Sequence, residues 1–372
     1  MRDPADYISK RTLAVDASGI RKVFDLAAKL KDPINLSIGL PDFDVPDIAK
    51  EVAISAIKGG SNRYTQTQGI APLRNRLRKD LSDEMGRDVG DVLITSGVAG
   101  GLFLAVLALI DPGDEVIFLD PYFVMYKHMV TMAGGVSVPV SCYPDFGFPA
   151  ARVEAAITPR TKLLMLNSPS NPTGMVMSDA EIQAAVALAK KHDLILLTDE
   201  IYEPFLYDQA RGLPSPARYY DKTLLLRGFS KSHAMTGWRL GYATGPEAIL
   251  SQMIKLQQYT YICAPSPLQE AAVAALDVSM TDAVNAYRRK RDLVFDRLSK
   301  KFDVQKPGGA FYIFPKAPAG MTGTQFVAEA IKNNVLIIPG NVFSEYDTHF
   351  RISYATTEEK LIAGCDVLCS LA

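Results

Sequence analysis

Between residues 92 and 244, short apolar runs alternate with longer amphipathic ones. The short runs predict buried strands at residues 92–95, 115–119, 136–140, 162–166, 194–198, 223–226 and 240–244. Helical spacing of apolar positions predicts helices at 99–110, 122–133 and 179–191. Buried strands separated by helices are typical of a mainly parallel sheet that is covered by helices on both faces. The pattern therefore predicts a large α/β domain.

The two ends of the chain follow a different pattern. Apolar positions at helical spacing predict a helix at 20–30 and an almost continuous helix over 269–302. Residues 310–314, 335–338 and 350–353 then predict strands of a smaller α+β unit. We expect a large domain over residues 41–275 and a small α+β domain made from both chain ends, residues 1–40 and 276–372.

Charge and composition exclude several classes of function. The 372 residues include 40 Lys and Arg against 41 Asp and Glu, which argues against electrostatic binding of nucleic acid or an anionic membrane. The longest apolar run, residues 102–110, is too short to span a bilayer. Four cysteines without a C-x-x-C pair and four scattered histidines predict neither a disulfide framework nor a metal site. Because the N-terminus does not resemble a signal peptide, we expect a cytoplasmic protein.

Polar groups follow several of the predicted strands. No dinucleotide, P-loop or G-x-S-x-G motif is present, but ligands of open α/β sheets bind beyond the carboxyl ends of the strands. Asn171, Asp199 and Lys231 follow three strands, and residues 96–101 follow a fourth strand and lead into a helix. A lysine can form a Schiff base, a carboxylate can keep a ring nitrogen protonated, and helix N–H groups can bind phosphate. The set suits a phosphorylated aromatic aldehyde with a basic ring nitrogen.

Six sequence blocks resemble, in the same order, those of the class I/II pyridoxal-phosphate-dependent aminotransferases of fold type I. They are residues 38–43 (IGLPDF), 62–65 (NRYT), 171–174 (NPTG), 199–202 (DEIY), 230–242 (SKSHAMTGWRLGY) and 350–355 (FRISYA). The resemblance extends from about Ser18 to Ala355, and residues 19–24 are similar to the branch with aspartate-type and aromatic-type enzymes. It implies pyridoxal 5'-phosphate as cofactor, a homodimer with shared active sites, and transfer of an amino group from an L-amino acid to a 2-oxo acid, with 2-oxoglutarate as the expected acceptor.

The same resemblance implies roles for individual residues. Lys231 would form the Schiff base and act as general base, Asp199 would pair with the ring nitrogen, and Tyr202 would hydrogen-bond the phenolic oxygen of the ring. The implied cofactor-binding residues are Lys231, Asp199, Tyr202, Asn171, Phe123 (or its neighbour Tyr122), Arg239, Gly97, Val98, Ala99, Ser230 and, from the neighbouring subunit, Tyr64. The substrate α-carboxylate would be bound by Arg351, Asn171 and the backbone of Gly39.

One position departs from the family pattern. Members commonly have Ser or Thr three residues before the lysine, where the hydroxyl donates to the phosphate, but this chain has Gly228. Ser230, Ser96 or a water molecule could replace that hydroxyl. The loss of one neutral hydrogen bond costs about 1 kcal/mol, so we expect cofactor binding to persist.

Substrate choice and reaction type leave alternatives open. The loop at 259–265 (YTYICAP) contains tyrosines but no Arg, Lys or His, which favours donors with apolar or aromatic side chains. Lys10, Arg11 or Arg21 in the N-terminal arm could instead supply a cation for a second carboxylate. The same scaffold also carries β-eliminating C–S lyases and, more remotely, non-catalytic cofactor-sensing modules.

Overall fold

The computed structural model describes residues 2–16, 19, 30–208 and 212–372. Its strands are β1 (Ile34–Asn35), β2 (Val92–Ser96), β3 (Glu115–Asp120), β4 (Val136–Ser141), β5 (Thr161–Asn167), β6 (Ile195–Asp199), β7 (Thr223–Gly228), β8 (Leu240–Thr244), β9 (Tyr312–Ile313), β10 (Val335–Leu336), β11 (Ile338–Pro339) and β12 (Phe350–Ser353). Its α-helices are α1 (Lys10–Leu13), α2 (Asp47–Lys58), α3 (Ala71–Met85), α4 (Gly97–Leu109), α5 (Met125–Ala133), α6 (Ala150–Ala156), α7 (Asp179–Lys191), α8 (Phe229–Ser232), α9 (Glu247–Gln258), α10 (Ser266–Ala275), α11 (Thr281–Leu298), α12 (Gly323–Lys332) and α13 (Glu358–Ser370). Short 3-10 turns lie at Pro4–Tyr7, Pro216–Arg218 and Gly340–Val342.

The strands from β2 to β8 form one seven-stranded sheet in the order β2-β8-β7-β6-β5-β3-β4. Strand β8 is antiparallel to both of its neighbours, and every other neighbouring pair is parallel. All seven strands predicted from the sequence are confirmed, with ends that differ by at most two residues. Because the other six strands run in the same direction, their carboxyl ends lie along one edge of the sheet. Ser96, Asn167, Asp199 and Gly228 end β2, β5, β6 and β7 at this edge.

Burial explains why these strands are continuous apolar runs. Consecutive residues such as Ile117 and Phe118 in β3 and Leu164 and Met165 in β5 are at most 1% exposed. Successive side chains point to opposite faces, so helices must cover both faces of the sheet. Helix α7 begins with a capping box between Ser178 and Glu181, and its bounds agree with the predicted helix at 179–191.

The chain ends form two small sheets beside the large one. Strand β1 pairs in parallel with β10, and β11, β12 and β9 form an antiparallel sheet. Pairing of β1 with β10 brings both ends of the chain together. We therefore propose residues 41–275 as the large domain and residues 1–40 with 276–372 as the small one.

Some predictions for the chain ends need correction. The continuous helix at 269–302 is wrong, because α10 ends at Ala275 and α11 begins at Thr281. In the interruption, Ser279 Oγ accepts a hydrogen bond from the Thr281 backbone N–H at 3.3 Å, which supports the start of a new helix. The strands expected at 310–314 and 335–338 are shorter or divided, and that at 350–353 is confirmed. The helix expected at 20–30 lies, except for Leu30, outside the described residues.

Within the described ranges, no helix combines the length and apolar character that crossing a bilayer requires.

Candidate active site

A cavity of about 420 Å³ opens at the carboxyl edge of the large sheet. Its walls come from the ends of β5 and β6, the short helix α8 that follows β7, the N-terminal part of α4, the start of α5, the segment after β1, and the strands β9 and β12. The residues expected at the site that line it are Gly39, Val98, Ala99, Phe123, Asn171, Asp199, Tyr202, Ser230, Lys231, Arg239 and Arg351. Gly97 lies beside the cavity, against Arg239. Tyr64 does not line it and is 78% exposed on the surface of this chain.

Lys231 lies on the short helix α8, just beyond the end of β7. Its ammonium nitrogen donates a hydrogen bond to the carbonyl oxygen of Gly39 at 2.6 Å. Burial, together with the nearby cations Arg351 and Arg239, lowers the pKa of Lys231 to about 8, against the opposing effect of Asp199. A lysine with such a pKa is a free amine in about one molecule in ten at pH 7, far more often than an ordinary lysine, and the free amine is the form that a nucleophile or general base needs.

Asp199 ends β6 at the base of the cavity. Its Oδ2 accepts a hydrogen bond from the Tyr126 hydroxyl at 2.8 Å, and its Oδ1 accepts one from the backbone N–H of Ile201 at 3.2 Å. Burial raises the pKa of Asp199 to about 6, against the opposing effects of these two hydrogen bonds and of Lys231. A buried carboxylate is stabilised by a cationic partner, so this position favours a protonated ring nitrogen. Sequence reasoning missed Tyr126, because it lies inside a predicted helix and its spacing indicates only packing.

Two asparagines connect Asp199 to the substrate end of the cavity. Asn167 ends β5; its Nδ2 donates to the Asp199 carbonyl oxygen at 2.8 Å, and its Oδ1 accepts from the Asn171 backbone N–H at 2.9 Å. The Asn171 side-chain oxygen in turn accepts from Arg351 Nη1 at 2.9 Å. Asn167 was also missed, although it directly follows the predicted strand at 162–166.

Arg351 lies on β12 and is 1% exposed. Its Nη2 donates to the Ser37 carbonyl oxygen at 2.7 Å, and its guanidinium carbon lies 4.5 Å from the ring centroids of both Tyr312 and Phe343. Among the described residues, Arg351 Nε has no hydrogen-bond partner. A buried guanidinium with an open donor beside a cavity is suited to an anionic ligand such as a carboxylate.

The opposite end of the cavity is suited to phosphate. Arg239 Nη2 donates to the Ser96 carbonyl oxygen at 3.3 Å, beside the N-terminus of α4. Gly97 has a φ of +66°, and a Cβ atom there would lie 2.6 Å from Arg239 Nη2. A cation next to free helix N–H groups forms an anion site. Together with the amine of Lys231 and the carboxylate of Asp199, this donor set fits a phosphorylated pyridine aldehyde.

The structure gives a reason for the missing hydroxyl at Gly228. A Cβ atom on Gly228 would lie 2.9 Å from Gly241 Cα and 3.0 Å from the Leu240 carbonyl oxygen. The backbone of β8 therefore occupies the space that a serine side chain would need. Of the two serines considered as replacements, Ser230 lines the cavity and Ser96 does not.

The aromatic residues around the cavity divide into two groups. Phe123 lines the cavity, whereas Tyr122 points elsewhere and donates from its hydroxyl to Glu345 at 2.6 Å. The Tyr202 and Tyr312 hydroxyls are 3.0 Å apart and form a hydrogen bond.

In the described part of the chain, no group of three or more His, Cys, Asp or Glu side chains could hold a metal ion.

Comparison with known proteins supports the same assignment. Residues 31–368 match the family described as aminotransferase class I and II. The chain is 37% identical to a probable aspartate aminotransferase of Methanocaldococcus jannaschii, over 95% of this chain and 96% of that one. It is 36% identical to the aromatic-amino-acid aminotransferase 2 of Thermococcus litoralis, over 96% of each chain. A solved structure of a single mutant of Thermus thermophilus aspartate aminotransferase has a TM-score of 0.94 and 36% identity, and the match covers 100% of both chains.

The resemblance seen in the six sequence blocks is thus confirmed over nearly the whole chain. The central, mostly parallel sheet is that of the fold type I aminotransferases. The chain belongs to the class I and II aminotransferases and is an enzyme that transfers amino groups with pyridoxal 5'-phosphate as its cofactor.

Proposed function

We propose that this aminotransferase uses L-amino acids with apolar or aromatic side chains as donors and 2-oxoglutarate as the acceptor. The supporting observation is the set of charged side chains that line the cavity. Among the described residues, the charged groups that line it are Asp199, Lys231, Arg239 and Arg351. Each of them has a role toward the cofactor or the α-carboxylate, so no cation remains inside for a second carboxylate of a short donor such as aspartate.

The remaining wall of the cavity suits an apolar side chain. Its apolar part is formed by Ile38, Leu40, Leu102, Met125 and Ile201, and Asn167, Thr236 and Tyr312 also line it. Burial of an apolar donor side chain against such a wall contributes about 25 cal/mol for each Å² removed from water.

The longer 2-oxoglutarate would place its second carboxylate nearer the mouth of the cavity. Helix α1 of the N-terminal arm contacts α5, whose first residue, Met125, lines the cavity. The arm carries Lys10 and Arg11, which are both exposed. These are our candidate cations for the second carboxylate of the acceptor; Arg21, the third candidate from the sequence, lies outside the described residues.

Different residues of the site bind the substrate, transfer its proton and keep the cofactor ring protonated. Arg351 and Asn171 bind the α-carboxylate and orient the amino acid so that its Cα–H points to the amine of Lys231. Lys231, with a pKa lowered to about 8, takes the proton from Cα as a free amine and later returns a proton. Asp199 keeps the ring nitrogen protonated. When bound, pyridoxal 5'-phosphate supplies a ring that accepts electron density from Cα.

Further residues hold the cofactor in place. Arg239, Ser230 and the N–H groups at Gly97, Val98 and Ala99 would bind its phosphate. Tyr202 and Asn171 would hydrogen-bond its phenolic oxygen, and Phe123 would stack on the ring.

We also propose a cytoplasmic homodimer in which Tyr64 reaches the phosphate in the neighbouring subunit. Two exposed tyrosines support an interface on this side: Tyr64 is 78% and Tyr259 82% exposed. Their segments are adjacent, because the Ser266 hydroxyl beyond the Tyr259 loop donates to the Arg63 carbonyl oxygen. Exposed aromatic side chains are typical of protein interfaces.

The substrate proposal is tested by measuring kcat/KM for phenylalanine, leucine, alanine and aspartate with a common acceptor. We expect phenylalanine or leucine to be preferred over aspartate. Preference for aspartate by more than about a hundredfold, or about 2.7 kcal/mol, would contradict the charge argument.

The acceptor proposal has its own test. Lys10→Ala and Arg11→Ala should raise KM for 2-oxoglutarate and leave KM for an uncharged oxo acid such as phenylpyruvate unchanged. Arg2→Ala, which removes another exposed cation of the arm, serves as the control. Equal effects on both acceptors would contradict a role of the arm in binding the second carboxylate.

A further inference from the structure

Tyr312 on β9 lies at the junction of the groups that surround Lys231. It is 1% exposed and lines the cavity. Its ring stacks on the Arg351 guanidinium, and its hydroxyl is 3.0 Å from that of Tyr202. The hydroxyl also abuts Gly39, whose carbonyl oxygen accepts the hydrogen bond from Lys231. No role for Tyr312 follows from the sequence blocks described above.

The chemistry of two paired phenols constrains the direction of their hydrogen bond. Each hydroxyl has one proton to donate and lone pairs to accept with. Burial raises the pKa of both Tyr202 and Tyr312, so both keep their protons at neutral pH. If Tyr202 donates its proton to the phenolic oxygen of the cofactor ring, its own oxygen is left as an acceptor. Among the described residues, Tyr312 is the side chain that forms a hydrogen bond with that oxygen.

We propose that Tyr312 is a positioning residue that donates to the Tyr202 oxygen and thereby directs the Tyr202 proton to the phenolic oxygen of the cofactor. This inference rests on the role proposed above for Tyr202. Successive hydrogen bonds polarise one another, so donation by Tyr312 makes Tyr202 a stronger donor. A stronger donor draws negative charge away from the phenolic oxygen, which then attracts the proton on the nearby Lys231 nitrogen less.

The consequence is a lower pKa for the nitrogen that joins Lys231 to the cofactor. The charged groups that act on Lys231 are Arg351, Arg239 and Asp199, and Tyr312→Phe replaces none of them. The phenylalanine ring can still stack on Arg351. Tyr312→Phe therefore removes one hydroxyl while keeping the packing of the site.

The experiment is a pH titration of the absorbance of the lysine-bound cofactor, whose protonated and neutral forms absorb at different wavelengths. Donation by Tyr312 strengthens the Tyr202 hydrogen bond to a charged oxygen by about 10–30%, so we expect Tyr312→Phe to raise the pKa of this nitrogen by about 0.1–0.7 pH unit. Tyr202→Phe should raise it further. Because Tyr312 acts through Tyr202, the double variant Tyr202→Phe/Tyr312→Phe should titrate like Tyr202→Phe alone.

Tyr354→Phe is the matched control. Tyr354 is also fully buried, its hydroxyl donates to the Ala310 carbonyl oxygen at 3.2 Å, and it does not line the cavity. Its removal should not change the titration. An unchanged titration in Tyr312→Phe, an equal shift in Tyr354→Phe, or a further shift when Tyr312→Phe is added to Tyr202→Phe would each overturn the inference.

Two checks keep the test decisive. If Tyr312→Phe does not fold, Tyr312→Met, which fills the space with a flexible side chain and has no hydroxyl, takes its place in the same titration. Borohydride reduction of the wild-type enzyme and peptide mapping show independently whether the cofactor is attached to Lys231. A label on another lysine would contradict the proposed site, whereas a label on Lys231 with no shift in Tyr312→Phe would contradict only the role of Tyr312.

Discussion

Removal of the Tyr126 hydroxyl should change the pH range in which the enzyme binds its cofactor. In the structure this hydroxyl donates to Asp199 Oδ2 at 2.8 Å, and both residues are buried. The hydrogen bond stabilises the charged carboxylate and so lowers its pKa, against burial, which raises it to about 6. A hydrogen bond to a charged group contributes about 1.5–3 kcal/mol, and one pKa unit corresponds to about 1.4 kcal/mol. Tyr126→Phe should therefore raise the pKa of Asp199 by about one to two units.

The sign of the effect on cofactor affinity follows from the charge that the ring nitrogen needs. A protonated ring nitrogen binds to the carboxylate form of Asp199, so affinity falls as the pH is lowered through the pKa of this group. In Tyr126→Phe the fall should begin about one to two pH units higher than in the wild type. The measurement is the dissociation constant of the cofactor from the apo-enzyme between pH 5 and 9, followed by absorbance or fluorescence.

Tyr220→Phe provides the comparison for this experiment. Tyr220 is 9% exposed and donates to the carbonyl oxygen of Leu194, which precedes β6 at the end opposite to Asp199. Its loss removes a buried hydrogen bond without touching the site. The argument would be refuted if the fall in cofactor affinity at low pH began at the same pH in Tyr126→Phe as in the wild type, or if it shifted equally in Tyr220→Phe.

Two further predictions concern the backbone at Gly228 and the shared active site. Gly228→Ala should destabilise the apo-protein by about 1–3 kcal/mol, because its Cβ would press on the backbone of Gly241 and Leu240. Gly237→Ala should not, because no atom lies within 4 Å of a Cβ there. Chemical unfolding measures both variants, and equal unfolding midpoints for the two would contradict the packing argument. Mixing inactive Lys231→Ala with Tyr64→Ala should restore activity, because a mixed dimer contains one site with both an intact Lys231 and an intact partner tyrosine; no gain after subunit exchange would argue against a shared site.

The sequence predicted the large sheet well because its strands are buried on both faces. Such strands are continuous apolar runs bounded by polar residues, and this local signal does not depend on which strand lies next to which. The small domain was predicted less well. Strand β9 contains only two residues, and β10 and β11 are separated at Ile337, so their existence depends on pairing with partners far along the chain.

The same distinction applies to the candidate site. Asn171, Asp199 and Lys231 could be predicted because each follows a strand, where a polar residue is unexpected without a function. Tyr126 and Tyr312 lie inside a helix and a strand, where an aromatic residue is ordinary packing material. Their hydroxyls gain a role only through the tertiary contacts that bring them to Asp199 and Tyr202.

Gly228 shows how a position that looks like a lost interaction can be part of the site's construction. In the sequence it is a missing hydroxyl, but in the structure it lets β7 approach β8 closely at Gly241. A Cβ atom on Gly241 would in turn lie 2.6 Å from the carbonyl carbon of Gly97 and 2.7 Å from the N atom of Val98, so β8 also contacts the start of α4. Because Arg239 directly precedes β8, this close packing brings its guanidinium to the N-terminus of α4. A side chain at Gly228 would push β8 away and separate the cation from the helix N–H groups. In this chain, therefore, we expect phosphate binding to depend on the charge of Arg239 and on backbone N–H groups rather than on a hydroxyl at position 228.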